Sequence, residues 1–566
     1  MSAIMKSQRY ALFRFIPNYY DIDDGFVQKI VVEAQGVKEY PSSSEENQAL
    51  DKDRLQWILF DRIKSYPASK RPSDADLSRT NLKFVTHLYV RKMLEPDIFH
   101  CTQPQCGRLY TMRELPRNRR GSVSFECPID HGDLRQIPFL WVHSECGNVE
   151  PFRADNCPVC QRTQSTTVRK LRLKLNNNDL GKSYWFCGCG YSTEPRSGNP
   201  NARRFSRVCS SCYSKPDVLD PYMRPMPAIK VYKPQSFSTF KLTGDWKRLV
   251  GDWFGIKLPE PSLTGIPDAI RAGMARDPAF RQRILDMMPV EGSDELYPIL
   301  EKLGLRDQDG NRRVIQELME FAGVRYNLEG KIELSRIEPE SAKVILDRFG
   351  VNVSYLDNLP IVEGTFGSLV GTSDRQRARL ILIDGPIVDQ KWVFVREFRT
   401  EGLLIDLPPS QVTHWLAQNG YDTPNIREVL LTASENDPIF TQVKALLHSI
   451  SHLLIRKSDI FSGVSRETLA EFLFPRSLAL LLYNTRGSEL GMLRTTFEGK
   501  MYNWLHAALA GATRCVYDPI CGRKKMPCHG CMFIAERNCP LFNQCLDRDL
   551  LVWVRGDTKV GYWAQR

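Results

Sequence analysis

Between Cys212 and Cys515 this 566-residue chain has no cysteine at all. It also has no apolar run near the roughly 20 residues that a membrane helix needs. The richest run, SLALLLY from Ser477, has the length of a buried strand. Only nine histidines are present. None opens an H-E-x-x-H, which removes the zinc-protease pattern, and none is followed two positions later by lysine, as a phospholipase-D-type nuclease site requires. No G-x4-G-K-[ST] loop is present to cradle a nucleotide, and the loose run Gly364, Gly367, Gly371 has no lysine where such a loop needs one. The opening MSAIMKSQRYALFRF lacks the apolar stretch and small-residue cleavage site of a secretory leader. The expected setting is therefore the reducing cytoplasm, with no membrane anchor.

All sixteen cysteines fall in two clusters, ten from Cys101 to Cys212 and six from Cys515 to Cys545. Thiols that gather in this way converge on a disulfide framework or on a metal. In a reducing compartment close pairs point to zinc. Cys187-x-Cys189 and Cys209-x2-Cys212 are nineteen residues apart, near the usual four-cysteine zinc spacing, so they are expected to share one ion. Cys101-x4-Cys106 and Cys157-x2-Cys160 form the second expected set. Cys127, His131, His143 and Cys146 lie in the loop between those pairs. They make a third site, replace one of the pairs, or, in the case of the two cysteines, are packed thiols. In the tail Cys528-x2-Cys531 is the tight pair, with Cys521 and Cys539 its nearest partners; Cys515 and Cys545 read as packed. Two or three zinc ions are expected in all. Four thiolates leave no open coordination position, so these sites hold structure rather than perform chemistry.

The net charge is +11. From Asp97 to Phe240 there are 21 Lys/Arg and 12 Asp/Glu, a local excess of 21 − 12 = 9. Each four-thiolate zinc site returns about −2, so a weaker basic footprint remains. The candidates for nucleic-acid contact are Arg117, Arg119, Arg120, Arg169, Lys170, Arg203, Arg204 and Arg207, beside the aromatic run Tyr184, Trp185, Phe186. Charge paired with exposed rings suits single strands. The competing reading is a solvated face with rings packed around zinc.

The expected fold class is α+β and multidomain, with zinc-stabilised cysteine-rich segments in the N-terminal half and at the C-terminus. The segments read as a mixed α/β region (1–96), a zinc-binding region (97–213), a proline-rich extended connection (214–239), a middle α/β region (240–435) and a C-terminal zinc module (436–566). DRLQWILFDRIKSY, PDAIRAGMARDPAFRQRILDMM, NRRVIQELMEFAGV, DPIFTQVKALLHSISHLLIRKS and MYNWLHAALAGA carry helical periodicity. ARLILIDGP, KWVFVREF and SLALLLYNT read as strands. His448 and His452, four apart on one helix, are spaced to share a metal, but they flank the apolar stripe, so helix packing or surface hydrogen bonding is the expected role. The zinc-deaminase pattern H-x-E … P-C-x-x-C is split between His143-Ser144-Glu145 and Pro527-Cys528-His529-Gly530-Cys531, which fall in different segments, so a deaminase is not the expected reading.

HSISHLLIR, LALLLYNTRGSELGMLR and DPICGRKKMPCHGCMFIAERNCPLFNQCLDRDLL together resemble a helicase-associated zinc module. With the turn at Gly487, Ser488 and Glu489 and the upstream FECPIDHGDLRQIPFLWVHSEC, the chain is similar to the DrmB-like subunits of the DISARM anti-phage defence system. The first hundred residues lack that family's glycine-rich opening. The resemblance implies that Cys521, Cys528, Cys531 and Cys539 are zinc ligands. It also implies a non-catalytic subunit that contacts DNA, with a single-stranded part, and a DrmA-like superfamily-2 helicase that supplies ATP hydrolysis. The alternatives are a zinc-containing nucleic-acid-processing enzyme, such as a degenerate nuclease, and a zinc RNA-binding protein.

Overall fold

The computed structural model describes residues 3–6, 20–23, 25–31, 37–40, 46–87, 89–117, 121–163, 168–193, 206–212, 221–241, 313–314, 316–321, 323–324, 339–370, 378–485, 491–515, 517, 530–535, 538–552 and 560–564. The helix expected at PDAIRAGMARDPAFRQRILDMM and the turn at Gly487–Glu489 lie outside these. The chain is α+β and divides into two units, Met1–Phe237 with Glu363–Arg396, and Ser238–Val362 with Glu397–Arg566.

In the first unit, strands Ala3–Lys6, Tyr89–Leu94, Phe26–Val31 and Tyr20–Asp23 form one antiparallel sheet in that order. The helix Glu46–Lys64 buries Leu55, Leu59 and Ile63, the i, i+4, i+8 row of its amphipathic sequence. Strand Asn81–His87 pairs in parallel with Gln390–Phe394. Gly364 and Gly367 lie in the strand Asn352–Val370. A Cβ on Gly364 would stand 2.4 Å from the Phe237 ring, and one on Gly367 2.5 Å from the carbonyl oxygen of Ile381. These two glycines therefore serve close packing rather than phosphate binding; Gly371 lies outside the described residues.

The proline-rich stretch read as a connection instead carries strand Tyr222–Pro227, helix Ala228–Val231 and strand Tyr232–Phe240. Tyr222–Pro227 lies between Phe139–Val142 and Arg207–Val208. Ala228 donates its N–H to the carbonyl of Pro138 (2.8 Å), so in the alternating ladder the even-numbered donors face that strand. Pro225 and Pro227, which have no N–H, fall on the opposite side, where Arg207–Val208 pairs only with Met223 and Tyr222.

The second unit is built on the helix Pro438–Phe461. Its start is fixed by Asp437, whose carboxylate accepts the N–H groups of Ile439 (2.8 Å) and Phe440 (3.2 Å), and by Pro438 in the first turn. The expected apolar stripe is present, but Ala445, His448, Ser449, Ser451, His452 and Ser458 are buried as well, so the helix is enclosed rather than lying on a surface. The antiparallel strands Leu469–Phe474 and Ala479–Asn484 and the helix Met501–Thr513 pack on it and share its core. Trp504 donates its indole N–H to the carbonyl of Leu454 (2.9 Å).

Candidate metal centres

Six short turns in the first unit present their ligands in pairs, and the fold brings the pairs together two by two. Cys157 precedes the five-residue helix Pro158–Arg162, and its N–H is held by the carbonyl of Arg169 (2.8 Å). Cys187 follows the strand Tyr184–Phe186, and the turn closes through Gly190 at φ +92°, which donates to the Cys187 carbonyl (3.0 Å). That left-handed position suits a residue without Cβ. These two turns place the Cys157 and Cys189 sulfurs 3.6 Å apart and the Cys160 and Cys187 sulfurs 3.9 Å apart. A tetrahedron with Zn–S bonds of about 2.3 Å has edges of about 3.8 Å. A disulfide would bring the sulfurs to about 2.05 Å.

The second group lies at the end of the sheet just described. His143 follows Phe139–Val142, and Cys209 follows Arg207–Val208. His143 Nδ1 is 3.0 Å from the Cys146 sulfur and 3.2 Å from the Cys212 sulfur, and the Cys146 and Cys209 sulfurs are 3.6 Å apart. The backbone N–H of Asn148 points at Cys146 (3.4 Å), and its side-chain amide points at Cys209 (3.4 Å). Such donors orient thiolates around a cation.

The third group is Cys101, Cys106, Cys127 and Asp130. The Cys106 and Cys127 sulfurs are 3.9 Å apart, and Cys101 is 3.2 Å from Asp130 Oδ1. Hydrogen bonds from the thiols of Cys106 and Cys127 hold the Asp130 carboxyl well below the usual carboxylate range. Gly107, at φ +55°, turns the chain after Cys106. His131 stands apart, paired with Glu126 at 3.0 Å on the exposed surface.

Burial pushes the thiols of Cys160 and Cys212 up to about 12, whereas the hydrogen bond from the backbone of Tyr191 first among several draws Cys189 down to about 7. The raised thiols would stay protonated without a cation, and a bound zinc would supply the charge that makes them thiolates. Each group offers four ligands of zinc-binding type, and with all four engaged no position is left for a substrate.

The grouping differs from the one that spacing suggests. Cys187 and Cys189 join Cys157 and Cys160, while Cys209 and Cys212 join His143 and Cys146; Cys101 and Cys106 join Cys127 and Asp130. One group is nested inside the loop of another, and nearest-pair spacing cannot detect nesting. Asp130 is the candidate ligand that this reading misses, and Cys127, His143 and Cys146 are the ones whose role it leaves open. The signal is nonetheless present, because Cys127-x2-Asp130 and His143-x2-Cys146 repeat the pair spacing. In the tail, Cys521 and Cys528 lie outside the described residues; Cys531 and Cys539 are both buried.

Of the basic candidates, Arg119, Arg120, Arg203 and Arg204 also lie outside the described residues. Arg117, Arg169 and Lys170 are exposed. Lys170 is 3.7 Å from Glu114. Arg207 is half-buried and paired with Glu150 (3.2 Å) and Asp155 (3.7 Å), so its charge is already engaged beside the second metal group.

Residues 10–227, which include all three groups, match a family described as a domain of unknown function (DUF8724). The chain is also 27% identical over 191 residues to the DISARM protein DrmB of Bacillus paralicheniformis, a match that covers 29% of this chain and 33% of that protein. The chain thus spans about a third of the length of the curated relative it matches. Among the described residues, no helix is long and apolar enough to cross a membrane.

Proposed function

We propose that this chain is a non-catalytic, zinc-stabilised subunit of a DISARM-type anti-phage system that works in the cytoplasm and contacts DNA and a superfamily-2 helicase. The observation that carries the reading is the similarity to DrmB, together with the implied tail motif Cys528-x2-Cys531. The metal groups agree with it: they are closed, four-ligand arrangements suited to stiffening a surface, and Arg117, Arg169 and Lys170 lie exposed in the same region. Zinc at these groups supplies folding free energy, on the order of 10–16 kcal/mol apparent per structural site.

The test uses the purified chain with a superfamily-2 helicase of a DISARM-type system. The reading expects a stable complex, ATP hydrolysis that requires the helicase, and single-stranded DNA affinity that falls steeply with salt. Nucleic-acid turnover by the chain alone would favour a nuclease. Preference for RNA over DNA at matched salt would favour an RNA-binding protein. Failure to bind the helicase would remove the partner assignment.

A further inference from the structure

The histidines His448 and His452 face inward. His448, His452, Glu471 and Cys539 are all buried, each at 2% exposure or less, inside the core around the helix Pro438–Phe461. Glu471 comes from the strand Leu469–Phe474, and Cys539 from the tail. Glu471 Oε1 lies 3.1 Å from His448 Nε2 and 3.2 Å from His452 Nε2, and His448 Nε2 is 3.1 Å from the Cys539 sulfur. All four ligand atoms fall within 4.8 Å of one another.

The hydrogen bonds around the group decide what it can hold. His452 Nδ1 is 2.9 Å from the carbonyl of Met532, which only accepts, so Nδ1 carries the proton. In the neutral ring Nε2 is then a bare lone pair, and it faces a carboxylate oxygen. Glu471 Oε2 accepts the Ser451 hydroxyl, which orients the carboxylate and leaves Oε1 for the group. The backbone N–H of Asn543 donates to the Cys539 sulfur (3.2 Å), as it would to a thiolate. A carboxylate and a thiolate together in an apolar core need a counter-charge. A divalent ion with two neutral imidazoles makes the set neutral. A tetrahedron with bonds of about 2.0–2.1 Å has edges of about 3.3 Å, close to the separations seen.

We propose that His448, His452, Glu471 and Cys539 form a fourth metal centre, closed and structural, for a divalent transition ion of the zinc class. A thiolate with two imidazoles favours zinc over magnesium or calcium. The Met532 carbonyl, the Ser451 hydroxyl and the Asn543 N–H are the outer partners that fix the ligands. The centre ties the helix to the strand that follows it and to a tail segment ninety-one positions beyond His448. It also commits Cys539 away from Cys531, with which the tail motif would group it. The proposal stands independently of any DNA or helicase partner.

The test is diffraction from the full-length, reduced, zinc-supplemented chain, recorded on both sides of the zinc absorption edge. The expected result is an anomalous peak bonded to all four ligand atoms, at about 2.0–2.3 Å. Peaks at the centres of the first unit with none here would overturn the proposal, and so would a peak joining Cys539 to Cys531 without the histidines. In solution, His452→Gln is expected to bind one equivalent of zinc fewer than the wild type and to keep the others. An unchanged count would mean that a buried His452–Glu471 ion pair accounts for the cluster. His448→Gln provides the same count should the first variant prove insoluble, and the diffraction experiment requires no variant.

Discussion

His143 Nδ1 lies 3.2 Å from the sulfur of Cys212, although sixty-nine positions separate the two residues. The loop that this pair closes contains the whole Cys157, Cys160, Cys187 and Cys189 group. A metal bound at the inner group would shorten the effective loop, and a shorter loop costs less entropy to close.

That nesting makes the two centres unequal. His143→Ala is expected to lose one equivalent of zinc and leave the inner centre loaded. Cys160→Ser is expected to lose the inner equivalent and to weaken zinc at the outer centre as well. Metal analysis of both variants across a chelator titration checks the asymmetry.

Gly107 turns the chain after Cys106 at φ +55°, and a Cβ there would lie 2.4 Å from the carbonyl oxygen of Leu173. A non-glycine residue in a disfavoured backbone region costs about 1–3 kcal/mol, and the clash with backbone adds to that. Gly107→Ala should therefore lower stability by at least this amount in chemical denaturation. Gly121→Ala, also at positive φ but with open space around it, should cost less.

Glu114 accepts the backbone N–H (2.7 Å) and the hydroxyl (3.0 Å) of Thr111, and the backbone bond, with Lys170 a smaller influence, holds its carboxyl below the usual range. A depressed carboxyl contributes stability that is present above its unfolded pKa and is lost as pH falls through the folded one. The side chain is about half exposed, 48%, so Glu114→Gln should cost no more than about 1 kcal/mol at pH 7. The difference from wild type should vanish under acid conditions, as pH-dependent unfolding curves would reveal.

Arg117, Arg169 and Lys170 are the exposed basic candidates, whereas Arg207 is engaged by two carboxylates. Replacing the first three with alanine should weaken single-stranded DNA binding. It should also flatten the log–log salt slope by about 0.7 for each phosphate that is no longer neutralised. Arg207→Ala should change DNA binding little and zinc retention at the neighbouring centre more. Salt-titrated binding isotherms separate the two effects.

Much of this architecture is legible in the chain. The period of DPIFTQVKALLHSISHLLIRKS marks the helix Pro438–Phe461, and the apolar runs mark the strands Arg379–Asp384 and Ala479–Asn484. Cysteine clustering locates the three groups of the first unit. What stays hidden depends on long-range geometry. Spacing treats Asp130 as an ordinary polar residue, and it cannot tell nested pairs from consecutive ones. Tyr222–Pro227 reads as a connection because its prolines look incompatible with a sheet; they are tolerated because both lie on the side of the strand where no donor is required. His448 and His452 read as packing or surface residues before metal ligands because periodicity cannot show that the middle of the helix is buried all round.

Bound metal is expected to hold the stretch from Cys101 to Cys212 in shape. Amide hydrogen exchange across that stretch, compared between the zinc-loaded chain and the same chain stripped by a chelator at neutral pH, tests it most directly. Strong protection around the three ligand groups, lost on stripping and restored by zinc, is the predicted result. Protection unchanged in the metal-free chain would contradict it.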